Sequence, residues 1–206
     1  MDPLAEQTPS WTPYRYALNN PLRYIDPLGM TEEERMKAVE QAKKYVEKNP
    51  NRDPKLYHPE GKGKTGSKGK PGEATDCSGL TSNCLVTAGV KDPISTGTGG
   101  GIKRTVNNTE KVKNNWVQEG NIVTFNNGKT GKDAKSNTHG GIVTKVNINE
   151  SGQVTSVKFI HSASSTGPIE STVNLDGTGY YGKRFEGFRK WDSPEPKAPP
   201  IFTVEP

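Results

Sequence analysis

HGGIVTKVNINESGQVTSVKFIH, residues 139–161, reads as two β-rich arms around a turn. The arms 142–148 and 154–160 are dense in β-branched and aromatic residues, which favour strands. Between them Asn149, Glu150, Ser151 and Gly152 are the residue types a tight turn selects. An antiparallel pairing folded about Glu150 sets His139 opposite or nearly opposite His161 at the open end of the hairpin. Side chains alternate along a strand, so Val157, Phe159 and His161 share one face. An imidazole then falls where the core residues end, a place for a function or for a strand-end hydrogen bond.

Working outward, 117–125 and 184–191 carry the same strand composition. Two helices precede all four strands. Thr31 and Glu34 form a capping-box pattern at the head of TEEERMKAVEQAKKYVEKNP, residues 31–50. Glu32, Glu33 and Glu34 suit the positive end of that helix, and Lys43, Lys44 and Lys48 its negative end. Met36, Val39, Ala42, Tyr45 and Val46 are expected to form the buried face, and Pro50 ends the run. The second helix starts at Asp76-Cys77-Ser78-Gly79 and runs through Leu80, Cys84, Leu85 and Ala88 to Gly89. Helices followed by strands indicate an α+β fold, with N-terminal helices packed on an antiparallel sheet. The domain is expected to span 31–192, with a Gly/Lys-rich loop at 58–75, a second long loop at 91–110 and a Pro-rich tail at 193–206.

Composition narrows the function. Of 206 residues 29% are hydrophobic and 25% charged, with 23 glycines and 16 prolines, so one modest core with long loops is expected. No apolar run approaches the ~18 residues of a membrane helix, so no membrane span is expected. The first thirty residues, with Asp2, Glu6 and Asp26, show no apolar signal core. The net charge of +5 invites a nucleic-acid reading, but Lys62, Lys64, Lys68 and Lys70 alternate with glycines and have no aromatic neighbours to stack on bases. Such a run is a solvated loop, and no nucleic-acid partner is expected. The glycines at 97–101 lack the lysine and the preceding strand of a phosphate-binding loop.

Two cysteines exclude a disulfide framework and a four-cysteine zinc site. Cys84 lies seven residues after Cys77, roughly 10 Å along one helix, too far for a disulfide, and reads as core. Cys77 opens the helix, where free N–H groups and the dipole are expected to stabilise a thiolate and to offer donors to an oxyanion. A thiol beside an imidazole that a second polar group orients is an activated nucleophile. By residue type alone, two other readings stay open: an inert cysteine with unrelated histidines, and a zinc site of Cys77, His139 and His161 without a close ligand pair.

The words in which these residues occur add to that. DCSGL at 76–80, GVKDPIS at 89–95, WVQEGNIVTF at 116–125, HGGIV at 139–143 and FIHSAS at 159–164 keep the order of, and resemble, the NlpC family of papain-like cysteine peptidases. The resemblance spans roughly residues 31–191. It implies a papain-like α+β fold, a nucleophile at Cys77, a general base at His139 and an orienting third residue at His161, with no cofactor. It also implies substrate contacts at Asp76 and Ser78, and Tyr57 is a further candidate. Two words depart from the family, with Gly120-Asn121 in place of Gly-Asp and His139-Gly140-Gly141-Ile142 in place of His-Val-Gly-Ile, and a third, the tyrosine-containing Gly-x-x-Tyr word before Asp76, is replaced by the Gly/Lys loop after Tyr57.

Residues 1–30, DPLAE followed by TPYRYALNNPLRYIDPLGM, resemble the closing segment of the core of RHS-repeat proteins, which precedes a variable C-terminal toxin. The expectation is a chain that ends a larger RHS polypeptide, the parent supplying the export route. Together the resemblances imply a delivered toxin that hydrolyses peptidoglycan stem peptides in the target-cell periplasm or wall, often after γ-linked D-glutamate, with a cognate immunity protein as partner. The alternatives are a papain-like toxin modifying an intracellular protein as deamidase, protease or acyltransferase, and a non-catalytic binding module.

Overall fold

The computed structural model describes residues 30–57, 70–91, 93, 101–107 and 109–191. The RHS-like residues 1–29, most of the Gly/Lys loop and the tail after Trp191 lie outside the described residues. Helix α1 spans Glu32–Glu47 and α2 spans Cys77–Thr87. They are followed by α3 (Gly101–Val106), β1 (Thr109–Val112), β2 (Ile122–Phe125), β3 (His139–Ile148), β4 (Val154–Ala163), β5 (Gly167–Asn174), the short α4 (Gly179–Gly182) and β6 (Phe185–Trp191). The strands form one antiparallel sheet in the order β1-β6-β2-β3-β4-β5. The α+β architecture with helices on an antiparallel sheet is as expected.

Consecutive residues of the central strands divide between two cores. Ile122, Ile142 and Ile160 pack with Val39, Ala42 and Tyr45 of α1 and with Leu80, Cys84 and Leu85 of α2. Their neighbours Val123, Val143 and Phe159 join Phe125, Val157, Val173 and Phe188 in the second core. The sheet is therefore buried on both faces at its centre, which accounts for all four residues of β2 being buried.

At the head of α1 the capping box forms as read: Thr31 N donates to Glu34 Oε2 at 2.8 Å and Glu34 N to Thr31 Oγ1 at 3.2 Å. The buried face is rotated from the expected one. Met36 is 37% exposed, while Arg35 and Ala38 are buried. Arg35 stays inside because its guanidinium donates to the Met30 carbonyl at 2.6 Å, a charge-assisted bond the apolar pattern does not show. Helix α2 ends as read, on Ala88 and on Gly89 at φ +99°.

The hairpin forms, but with a different centre. Ile142 pairs with Ile160 and Val143 with Phe159, two positions away from the register centred on Glu150. A loop of Glu150, Ser151 and Gly152 causes this: Asn149 N donates to the Gln153 carbonyl at 2.9 Å, and Gly152 takes φ +77°, the left-handed residue of a three-residue hairpin loop. Irregularities after Val143 and after Asn147 shift the pairing one way and back. His139 is thus a diagonal rather than a direct neighbour of His161.

Four of the labelled elements were not expected, the short α4 among them. Helix α3 lies in what reads as a loop at 91–110, β1 starts at its end and runs on to Val112, and β5 and α4 lie in 161–183, where no element is expected. The expected strand 117–125 is shorter, with a 3₁₀ turn at Asn114–Trp116 before it and only Ile122–Phe125 extended in the sheet.

Candidate active site

The head of α2 is built on Asp76. Its Oδ1 accepts from Gly79 N at 2.6 Å and from Ser78 Oγ at 2.7 Å, capping the helix and fixing where Cys77 emerges. Two further bonds tie this segment to the neighbouring strand and loop. Ser162 Oγ donates to the Thr75 carbonyl at 2.7 Å, and Thr75 N donates to the Leu56 carbonyl at 3.0 Å. Because Ser162 follows His161, the first of these brings the helix head against the end of β4. The loop after α1 is held in turn by buried Asn49, whose Nδ2 donates to the carbonyls of Thr166 and Pro168 at 2.8 and 2.9 Å.

His139 opens β3 opposite Phe125, and His161 lies near the end of β4 with its ring 4.9 Å from that of Phe159. His139 Nε2 is 2.8 Å from His161 Nδ1, with the rings edge to face at 4.8 Å. His161 is fully buried and its Nε2 has two neighbours, Ser171 Oγ at 2.9 Å and the Tyr181 hydroxyl at 3.1 Å. The ring nitrogen of His139 not engaged by His161 is Nδ1. For Nδ1 to accept a proton, Nε2 must carry one and donate it to His161 Nδ1. His161 must then carry its own proton on Nε2, where Ser171 and Tyr181 offer oxygen acceptors. One tautomer of each histidine is compatible with a base at His139, and the hydroxyl pair favours it.

Cys77 is half-buried, and its thiol lies against the backbone N–H of Gly140, the residue after His139. Burial and the Asp76 carboxylate push the thiol up to about 12, against the N–H groups of Gly140, Ser78 and Cys77, which favour the thiolate. This corrects the expected helix-head thiolate: removal from water outweighs the donors. Burial also lowers His139 to about 4, with Asp76 opposing, and holds His161 well below the ordinary imidazole range, with His139 adding to the effect. Both shifts favour the uncharged forms, the thiol and the neutral imidazole. Cys84 is fully buried in the helix-side core, and both cysteines are free thiols.

The glycines beside His139 are close-packing positions. A Cβ on Gly140 would lie 2.8 Å from Ile102 Cγ1 and from the Val123 carbonyl oxygen, so α3 occupies the space that a valine side chain would need there. A Cβ on Gly141 would overlap the Ile160 carbonyl and press on His161 Cβ. The other departure, Asn121, serves as an acceptor: its Oδ1 takes the Gln118 N–H at 2.9 Å in the turn before β2.

Of the three expected substrate contacts, Asp76 and Ser78 are buried and bonded to each other in the helix cap, at 7% and 2% exposure. Tyr57 is half-buried, and its hydroxyl is raised by burial and by Cys77 and Asp76 nearby. It lines a cavity of about 230 Å³ together with His139, Ser162, Tyr180, Tyr181 and Arg184. Sequence reasoning did not single out Ser171, Tyr181, Ser162 or Arg184. The two signals for them were local: the aromatic pair Tyr180-Tyr181 among glycines, and the polar residue following His161. No group of three or more His, Cys, Asp or Glu side chains among the described residues could hold a metal ion.

No protein-family model and no curated protein matches the chain. A solved structure does: a protein from Staphylococcus aureus subsp. aureus Mu50 described as similar to lipoprotein, NLP/P60 family. It is 18% identical, with a TM-score of 0.52, over 94% of this chain and 55% of the other, so this chain spans about half the neighbour's length. The packing of helices on a six-stranded antiparallel sheet is thus a fold this chain shares with that protein.

Proposed function

We propose that the chain is a papain-like cysteine hydrolase in which Cys77, His139 and His161 act as nucleophile, general base and orienting residue. The observation that carries this is the 2.8 Å bond from His139 Nε2 to His161 Nδ1, next to Gly140, whose backbone N–H lies against the Cys77 thiol. With both groups neutral at rest, the Cys77 proton passes to His139 Nδ1 as Sγ bonds to the substrate carbonyl carbon. Backbone N–H groups at the head of α2 then face the oxyanion. Collapse breaks the amide, His139 returns the proton to the leaving amine, and water releases the acyl group from Cys77 through the same base.

The substrate class we favour is the peptidoglycan stem peptide, and the setting is a delivered toxin fused behind an RHS core and neutralised by an immunity protein. The fold likeness to an NLP/P60-family protein and the motif order support the first part. The RHS-like words of residues 1–30 support the second. Purified peptidoglycan incubated with the protein and analysed by mass spectrometry tests it. New stem-peptide fragments are expected with the wild type and none with Cys77→Ala; no fragments, or equal cleavage by the variant, would contradict it.

A further inference from the structure

We infer that Glu186 is a positioning residue for the base: a β-bulge in β6 aims its carboxylate at the backbone N–H of Asn137, just ahead of His139, and so sets how β3 begins. The inference rests on the hydrolase proposal, in which His139 is the base, and adds a residue that acts on it through the backbone. Against β2, Gly187 pairs with Thr124 and Phe185 with Phe125, which leaves Glu186 as the extra residue of β6. Gly187 takes φ +138°, in the range that favours glycine, and Thr124 Oγ1 donates to its carbonyl at 3.2 Å. A bulge re-aims a side chain out of the alternation of its strand. Here the half-buried Glu186 reaches the loop between β2 and β3, where Asn137 N donates to its Oε2.

From Asn127 to Lys135 that loop is closed on itself. Asn127 Oδ1 accepts from the N–H groups of Lys129 and Lys135 at 3.2 and 3.0 Å, and Asn127 Nδ2 donates to the Asp133 carbonyl at 2.7 Å. Asn137 follows at φ +49°, the left-handed region that is unfavourable for a residue with a Cβ. Thr138 N and Oγ1 then both donate to the Phe125 carbonyl, at 2.9 and 3.3 Å, and His139 pairs with Phe125. The chain thus turns into β3 at one unfavourable residue, and the Glu186 carboxylate holds that residue's N–H. A carboxylate accepting an N–H makes a charge-assisted bond, roughly twice as strong as a neutral one. Without it Asn137 relaxes from the left-handed region, and the His139 ring at the start of β3 turns relative to His161. The His161 ring stays where it is, fully buried with Ser171 and Tyr181 beside its Nε2.

The test reads the ring nitrogens of His139 by long-range proton–nitrogen NMR spectra of protein carrying isotope-labelled histidine, beside initial rates of fragment release from purified peptidoglycan. The wild type is expected to show His139 in one tautomer, protonated on Nε2. Glu186→Ala should average the two nitrogen shifts toward each other and lower the release rate by roughly tenfold, the scale of one charge-assisted bond. Glu186→Gln keeps an oxygen acceptor and should retain most of both readouts. Asn137→Gly, added to Glu186→Ala, should restore the single tautomer and part of the rate, because glycine takes the left-handed conformation without the bond. A residue that merely stabilised the fold would not be bypassed in this way. All variants are compared below their melting transitions, so folded fraction does not enter. A Glu186→Ala spectrum like that of the wild type, a mixed tautomer already in the wild type, or no recovery with Asn137→Gly would overturn the inference. Spectra that change as expected while the wild type releases no fragments would keep the positioning role and overturn the hydrolase proposal. Release that needs Cys77 but is equal in Glu186→Ala would do the reverse.

Discussion

At the residue scale the proposed chemistry depends on where two protons sit. If Ser171 and Tyr181 together keep the His161 proton on Nε2, losing one hydroxyl leaves the other as acceptor. Ser171→Ala or Tyr181→Phe alone should lower kcat by about 2- to 10-fold, the range of a single net hydrogen bond. The double variant leaves a buried N–H without an acceptor. His161 then favours the opposite tautomer, which donates to His139 Nε2 and places the His139 proton on Nδ1, where the thiol proton must go. Its kcat should fall by about a hundredfold with KM little changed, and a parallel rise in KM would argue against a tautomer effect. The acidity of His139 gives a second prediction. Its free-base form is required, and burial lowers it to about 4. The acid limb of kcat/KM should therefore fall near that pH, with activity retained at pH 5 to 6. A midpoint near the ordinary imidazole value of ~6.5 would contradict it.

At the scale of elements, the β3–β4 hairpin is the scaffold that brings the histidines together, and Gly141 is its tightest point. Gly141→Ala drives a methyl into the Ile160 carbonyl and against His161 Cβ. It should destabilise by about 1–3 kcal/mol and lower Tm by several degrees, as thermal unfolding would show. The hairpin was legible because its arms are β-rich and its turn holds Asn and Gly. Its register was not, since the centre moves from Glu150 to Ser151 when Gly152 takes the left-handed conformation, and summed positions cannot show that. Helix α1 was legible through Thr31 and Glu34. Its buried face was misread because the polar Arg35 is inside, held by the Met30 carbonyl. Strand β5 escaped because Glu170, Ser171 and Thr172 look polar; these residues face His161, Lys158 and solvent rather than a continuous apolar core.

At the scale of the whole molecule, two cores on either side of one sheet leave the histidines at the end of the strands, where Ser162 ties the Cys77 segment to β4. The candidate triad was legible in residue types and word order. The hydroxyl pair behind His161 and the cavity arginine were not, because they come from β5, α4 and the link between α4 and β6, which only the fold brings to the site. Burying two neutral histidines has a cost at low pH. The unfolded chain takes up protons below ~6.5, while the folded one does not until its lowered pKa values are reached, so stability must fall as pH falls through that window. The slope is about 1.4 kcal/mol per pH unit for each histidine. Melting curves should show Tm decreasing from pH 7 toward pH 5, less steeply in His161→Gln, and a Tm independent of pH would contradict it.

The central claim, that Cys77 is a nucleophile activated by His139, is tested most directly by intact-mass spectrometry of protein quenched in acid during turnover of a stem tripeptide. The account predicts an adduct with the mass of the acyl fragment, mapped by proteolysis to Cys77, absent in Cys77→Ala and strongly reduced in His139→Ala. Turnover by Cys77→Ala, or an adduct carried by Cys84, would contradict it.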